Sequence, residues 1–112
     1  MATRGSMLPV LVLAALKEGP AHGYLIAKRV SERSDGQLGP REASLYPVLH
    51  ALEERGLVEG AWEAQGERSR RVYQLTETGR EELRKEGQAW RSYAAAVERV
   101  LFHKKGVPHA NS

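Results

Sequence analysis

The chain has 112 residues, 41% of them apolar, with 17 Lys+Arg against 14 Asp+Glu and no cysteine. That is one domain with room for an appended helix but not for a second core; disulfides, thiolate metal sites and cysteine nucleophiles are excluded, and no apolar run approaches the roughly 18 residues of a membrane span. A formal charge of +3 is too small to define a polyanion-binding protein by itself, so where the charge sits matters more.

The opening Met1-Ala2-Thr3-Arg4-Gly5-Ser6-Met7 is too short and polar for a secretory signal, which leaves the cytoplasm as the default compartment. Gly5-Ser6-Met7 reads as a cloning remnant before a start at Met7, so flexible termini are expected at 1–6 and 104–112. Residues 7–17 place Leu8, Leu11, Val12, Ala15 and Leu16 at one-face helical spacing. Pro9 suits a first turn, Gly19-Pro20 ends the segment, and its apolar character all round predicts a central, buried helix. Residues 22–33 give a second helix with Tyr24, Ile26, Ala27 and Val30 on its apolar side; the turn cluster Ser34-Asp35-Gly36-Gln37 follows. Residues 42–55 give a third, with Leu45, Val48, Leu49 and Leu52 inward. Pro47 is tolerable there if it sits in the first turn, and Gly56 is the expected stop.

The period then changes. Residues 57–62 and 70–75 are short β-prone runs flanking a polar connection from Glu63 to Ser69, which predicts a hairpin. Thr76 is the expected N-cap of a long helix over 77–103. Within it Leu83, Trp90 and Val97 are seven apart, as are Gly87, Ala94 and Leu101, a heptad seam over three repeats. Three helices, a two-stranded wing and a long last helix make a winged helix-turn-helix, mainly α with a small β-hairpin. Residues 7–76 would form the DNA-binding unit and 77–103 a dimerisation helix. An amphipathic helix with no partner in its own chain closes most simply as a two-fold dimer.

Three motifs in order carry a family resemblance: Gly19-Pro20-x-His22-Gly23-Tyr24, then Ser44-Leu45-Tyr46-Pro47-x-Leu49-x-x-Leu52-Glu53-x-x-Gly56-Leu57-Val58, then Arg70-Arg71-x-Tyr73-x-Leu75-Thr76-x-x-Gly79. Together they resemble PadR-type transcriptional regulators from about residue 8 to 101, and the single helix after the wing resembles the small PadR subgroup. Ala43 stands where the family often has glycine. The resemblance implies a homodimer that represses by binding a palindromic double-stranded DNA operator. It also implies a planar, drug-like ligand beside the tryptophan of the last helix.

Residue by residue, the third helix leaves Arg41, Ser44, Tyr46, Pro47 and His50 for base and backbone contact, since such helices read bases near their N-termini. Two roles compete for Ser44, a helix cap and a phosphate donor; two compete for Tyr46, packing between helices and contact through its hydroxyl and ring. His50 is either a base contact or simply solvated. Lys28 and Arg29 on the second helix are backbone candidates or an ordinary exposed face. Arg68, Arg70 and Arg71 fall within four positions on the wing, after the acidic run Glu53, Glu54, Glu59, Glu63 and Glu67. Strand alternation sets Arg70 on one face and Arg71 on the other, so only one of the two can point squarely at DNA. Cross-strand pairing with Glu63 or Glu67 is the alternative role for these arginines. His22 is expected to start and cap its helix. Leu83, Trp90, Val97 and Leu101 are the candidate dimer seam. Trp90 flanked by the small Gly87 and Ala94 could leave a slot for a small aromatic effector. No metal or other cofactor is expected: His22, His50, His103 and His109 lack ligand spacing, and no catalytic motif occurs. The competing function is a winged-helix protein–protein module that never touches DNA.

Overall fold

The computed structural model describes residues 7–104; of the flexible termini expected at 1–6 and 104–112, all but Lys104 lie outside the described residues. The elements run α1 (Leu8–Leu16), α2 (Gly23–Arg33), α3 (Glu42–Glu54), β1 (Val58–Gln65), β2 (Arg68–Leu75) and α4 (Glu77–Leu101). The mainly helical winged architecture is as expected. The core is Val12, Leu13 and Leu16 of α1 against Ile26 of α2, Leu45, Leu49 and Leu52 of α3, and Val58 and Tyr73 of the wing. The helical members other than Leu13 are the inward positions of the helical periodicity, and burial of the whole set is the main stabilising term.

Local chemistry sets the joints. His22 caps α2 through Nδ1, which accepts the Leu25 N–H at 3.3 Å. Burial, and then the nearby Arg70 guanidinium, hold this imidazole below its ordinary pKa, which keeps it in the neutral form an accepting Nδ1 requires. Thr76 caps α4, its hydroxyl accepting the Gly79 N–H at 2.9 Å and donating to the Gly56 carbonyl at 2.7 Å. Gly79 stands so close to the wing root that a Cβ there would lie 2.0 Å from the Leu57 carbonyl oxygen. Arg29 donates to the Ala15 and Gly19 carbonyls at 2.9 and 2.8 Å. It closes the C-terminal end of α1, where a cation complements the helix dipole, and so is not a free exposed cation.

Four local expectations need correction. Ser44 is no cap: Arg41 holds the N-cap position of α3, no side chain caps it, and Ser44 lies exposed inside the helix. Pro47 lies inside α3 rather than in its first turn, where its missing N–H removes the bond to the exposed Ala43 carbonyl. The polar connection 63–69 is mostly strand. Gly66, at φ +63°, permits a tight turn at Gly66-Glu67, so pairing continues out to Gln65 opposite Arg68. Tyr24, expected inward, is 60% exposed and stacks on His22 with centroids 6.2 Å apart. Sequence periodicity also gives no hint of one further feature: Ala21 pairs with Tyr73 through two backbone bonds of 3.0 and 2.9 Å. This isolated one-residue bridge ties the wing to the start of α2.

Candidate nucleic-acid interface

The exposed side of α3 and the wing share one cleft. Tyr46, His50 and Glu53 of α3 line it together with Trp62 of β1 and Arg71 and Tyr73 of β2. Arg41, Ser44, Tyr46, Pro47 and His50 are all exposed on α3, and Lys28 is exposed on α2. Arg68 is exposed where β2 leaves the turn, whereas Arg70 and Arg71 are half-buried.

Two of these side chains are less free than their exposure suggests. The Tyr46 hydroxyl donates to Glu42 Oε2 at 2.5 Å. That bond, with burial and the carboxylate charge behind it, pushes the phenol pKa up to about 12. The Tyr46 ring lies on the start of α2, where a Cβ on Gly23 would stand 3.0 Å from its hydroxyl. Glycine in the His-Gly-Tyr motif therefore makes room for the tyrosine of α3. Arg71 donates to Glu53 Oε2 at 2.6 Å, and its guanidinium carbon lies 5.6 Å from the Trp62 ring centroid and 5.8 Å from that of Tyr73. Arg70 occupies the other face of β2, opposite Glu63 in register. Its Nε is buried with no hydrogen-bond partner among the described residues.

Glu42, Glu53, Gly60 and Trp62 join the site without having stood out in the sequence as site residues. The readable signal was Trp62 itself: once the hairpin extends to the Gly66 turn, simple pairing sets it opposite Arg71. The helix-borne candidates lie elsewhere. Leu83 packs against the chain's own core, Gly87, Ala94 and Val97 are half-buried, and Trp90 and Leu101 are 43% and 67% exposed. Trp90 tilts against Tyr93 with ring centroids 6.1 Å apart. Among the described residues no group of three His, Cys, Asp or Glu could hold a metal ion, and no helix is long and apolar enough to cross a membrane.

A sequence profile of the Transcriptional regulator PadR-like family matches residues 12–85, from α1 through the first turns of α4. The chain belongs to this family. PadR-like proteins are transcriptional regulators rather than enzymes. The chain is similar to a PadR family transcriptional regulator from Eggerthella lenta at 31% identity, covering 88% of this chain and 84% of that one, with a TM-score of 0.75. It shares its fold with Bacillus subtilis PadR, solved in complex with operator DNA, at 23% identity and a TM-score of 0.65, covering 94% of this chain and 52% of that one. It is also 43% identical over 77 residues, 69% of this chain, to an uncharacterized 37.1 kDa protein in a Streptomyces fradiae transposon. The PadR-like chain spans about a fifth of that protein's length, 21%.

Proposed function

We propose that this PadR-family chain binds a palindromic double-stranded DNA operator as a homodimer and represses transcription until a small planar aromatic ligand enters between the α4 helices. One observation carries the DNA reading: the exposed side of α3 and the wing open onto the same cleft, lined by Tyr46, His50, Trp62 and Arg71. A helix entering a major groove and a wing reaching the neighbouring backbone need that common face. The B. subtilis PadR–operator complex supports the reading by its shared fold. In this proposal residues 7–76 are the DNA-binding unit and 77–103 the dimerisation helix. Arg41, Ser44, Tyr46, Pro47 and His50 contact bases and phosphates from α3, with Lys28 on α2 and Arg68 and Arg70 on the wing gripping the backbone. Support for the dimer is the stretch of α4 beyond Leu83, where Trp90, Tyr93, Val100 and Leu101 are exposed, a stripe too apolar for a helix in water alone. Trp90 beside Gly87 and Ala94 is the place for the ligand, and its coupling to DNA would act by changing the angle between the two protomers.

The test is fluorescence anisotropy on the chain's own promoter DNA at several salt concentrations. We expect promoter-preferring binding that weakens steeply with salt, and an Arg68→Ala/Arg70→Ala variant whose log–log salt slope falls by about 0.9 for each phosphate it no longer neutralises. Salt-independent docking to a protein partner, with no preference for promoter over random DNA, would overturn the reading.

A further inference from the structure

We propose that Arg71 is a positioning residue that braces the wing against α3, leaving the wing's phosphate grip to the exposed Arg68. This rests on the DNA-binding reading, and it gives two neighbouring arginines different jobs. The Glu53 carboxylate, on the last turn of α3, accepts from the Gly60 N–H of β1 at 3.2 Å and from Arg71 Nη2 of β2 at 2.6 Å. A single oxygen of the recognition helix therefore holds both strands of the wing. The guanidinium carbon also lies 5.6 and 5.8 Å from the Trp62 and Tyr73 ring centroids, within the range at which a cation is attracted to each ring. Gly60 supplies the space: a Cβ there would meet Arg71 Nε at 2.8 Å, Nη2 at 2.9 Å and Tyr73 Cε1 at 2.9 Å. Glycine in the middle of a strand otherwise only weakens it, and close approach of another group is the usual reason for it.

The consequence is mechanical. A two-stranded hairpin has little rigidity of its own, yet a wing must keep its angle to the recognition helix if both are to meet one duplex. For Arg71 to turn toward a phosphate it would have to leave both rings and abandon a carboxylate on the DNA-facing side, where like charge opposes binding. The sign of one variant separates the two roles. Removing the Glu53 charge should tighten DNA binding if only electrostatics act, and should weaken it if Glu53 holds the brace.

The experiment compares Glu53→Gln, Arg71→Met and Arg68→Ala with the wild type by anisotropy on promoter DNA over a salt series, with circular dichroism melts to verify folding. Arg71→Lys, which keeps the charge but not the flat guanidinium, replaces Arg71→Met if the latter fails to fold. We expect Glu53→Gln and the Arg71 variant each to weaken binding about tenfold, and the double variant to be no worse than either single one. Their salt slopes stay at the wild-type value, while Arg68→Ala loses about 0.9 of slope. A slope loss of that size for Arg71→Met, with Glu53→Gln binding as tightly as the wild type or tighter, overturns the proposal. A DNA-free readout guards against failure of the DNA reading itself. In a Trp90→Phe background Trp62 is the remaining tryptophan, and Glu53→Gln should change its acrylamide quenching by releasing Arg71. If the wild type binds no DNA, an altered Trp62 keeps the brace and sinks only its purpose; an unaltered Trp62 sinks the brace as well.

Discussion

Tyr46 shows how a single side chain can be correctly suspected and still misjudged in detail. Its position in Ser-Leu-Tyr-Pro and its place on the outward side of α3 are readable from helical spacing. That its hydroxyl already donates a hydrogen bond to Glu42 is not, because Glu42 and Tyr46 are four apart on an exposed face where many rotamers compete. The bond has a measurable signature. The phenol pKa is raised from 10.0 to about 12, so the folded state holds this proton more tightly than the unfolded one does. The interaction's stabilising contribution is present below pH 10 and is lost as the pH rises through about 12. Absorbance titration of phenolate should therefore show a late step from Tyr46. That late step should vanish in Tyr46→Phe and move back toward the ordinary range in Glu42→Gln. A late step that survives in Tyr46→Phe would assign it to another tyrosine.

At the scale of elements, the joints are more legible in the sequence than the lengths. Thr76 as the cap of α4 and Gly79 in the Leu-Thr-x-x-Gly motif are visible because capping chemistry is local. The close approach that makes Gly79 necessary is not visible, because it comes from the wing root in space. The hairpin is longer than its composition suggests for a related reason. Glu63 to Ser69 is polar, and a polar run reads as a loop unless Gly66 is recognised as the turn that lets both strands continue. Likewise Ala21 gives no sign of its pairing with Tyr73, since a one-residue bridge has no period. The launch of α4 gives a graded test by urea unfolding. Thr76→Ala should cost about 1 kcal/mol through the lost cap. Gly79→Ala should cost about 3 kcal/mol or more, because a Cβ 2.0 Å from the Leu57 carbonyl forces α4 and the wing apart. Equal effects from the two would mean that the wing root yields more easily than its packing suggests.

For the whole molecule the question is what covers α4. The helix has 25 residues, about 37 Å at the usual rise, and the molecule extends to 68 Å along its longest axis. Its first turns settle on the chain's own core through Leu83. The heptad pattern finds this stripe from the sequence but assigns Leu83 to the outer seam, since periodicity gives a face without saying who meets it. Beyond Leu83 the stripe is largely open among the described residues, with Trp90, Val100 and Leu101 43%, 77% and 67% exposed. If a second copy supplies that cover, a Glu substitution at Val97 or Leu101 should place a charge in the seam without touching the winged domain. Analytical ultracentrifugation should then report a monomer whose circular dichroism melt keeps its cooperative transition. Operator affinity should fall far more than a local change explains, because two linked half-site interactions become two independent ones. Binding to an isolated half-site should be nearly unchanged, since α3 and the wing are intact. A Val97→Glu protein that remains dimeric, or a monomer that still binds the full operator as tightly, would show that the apolar end of α4 serves a different partner.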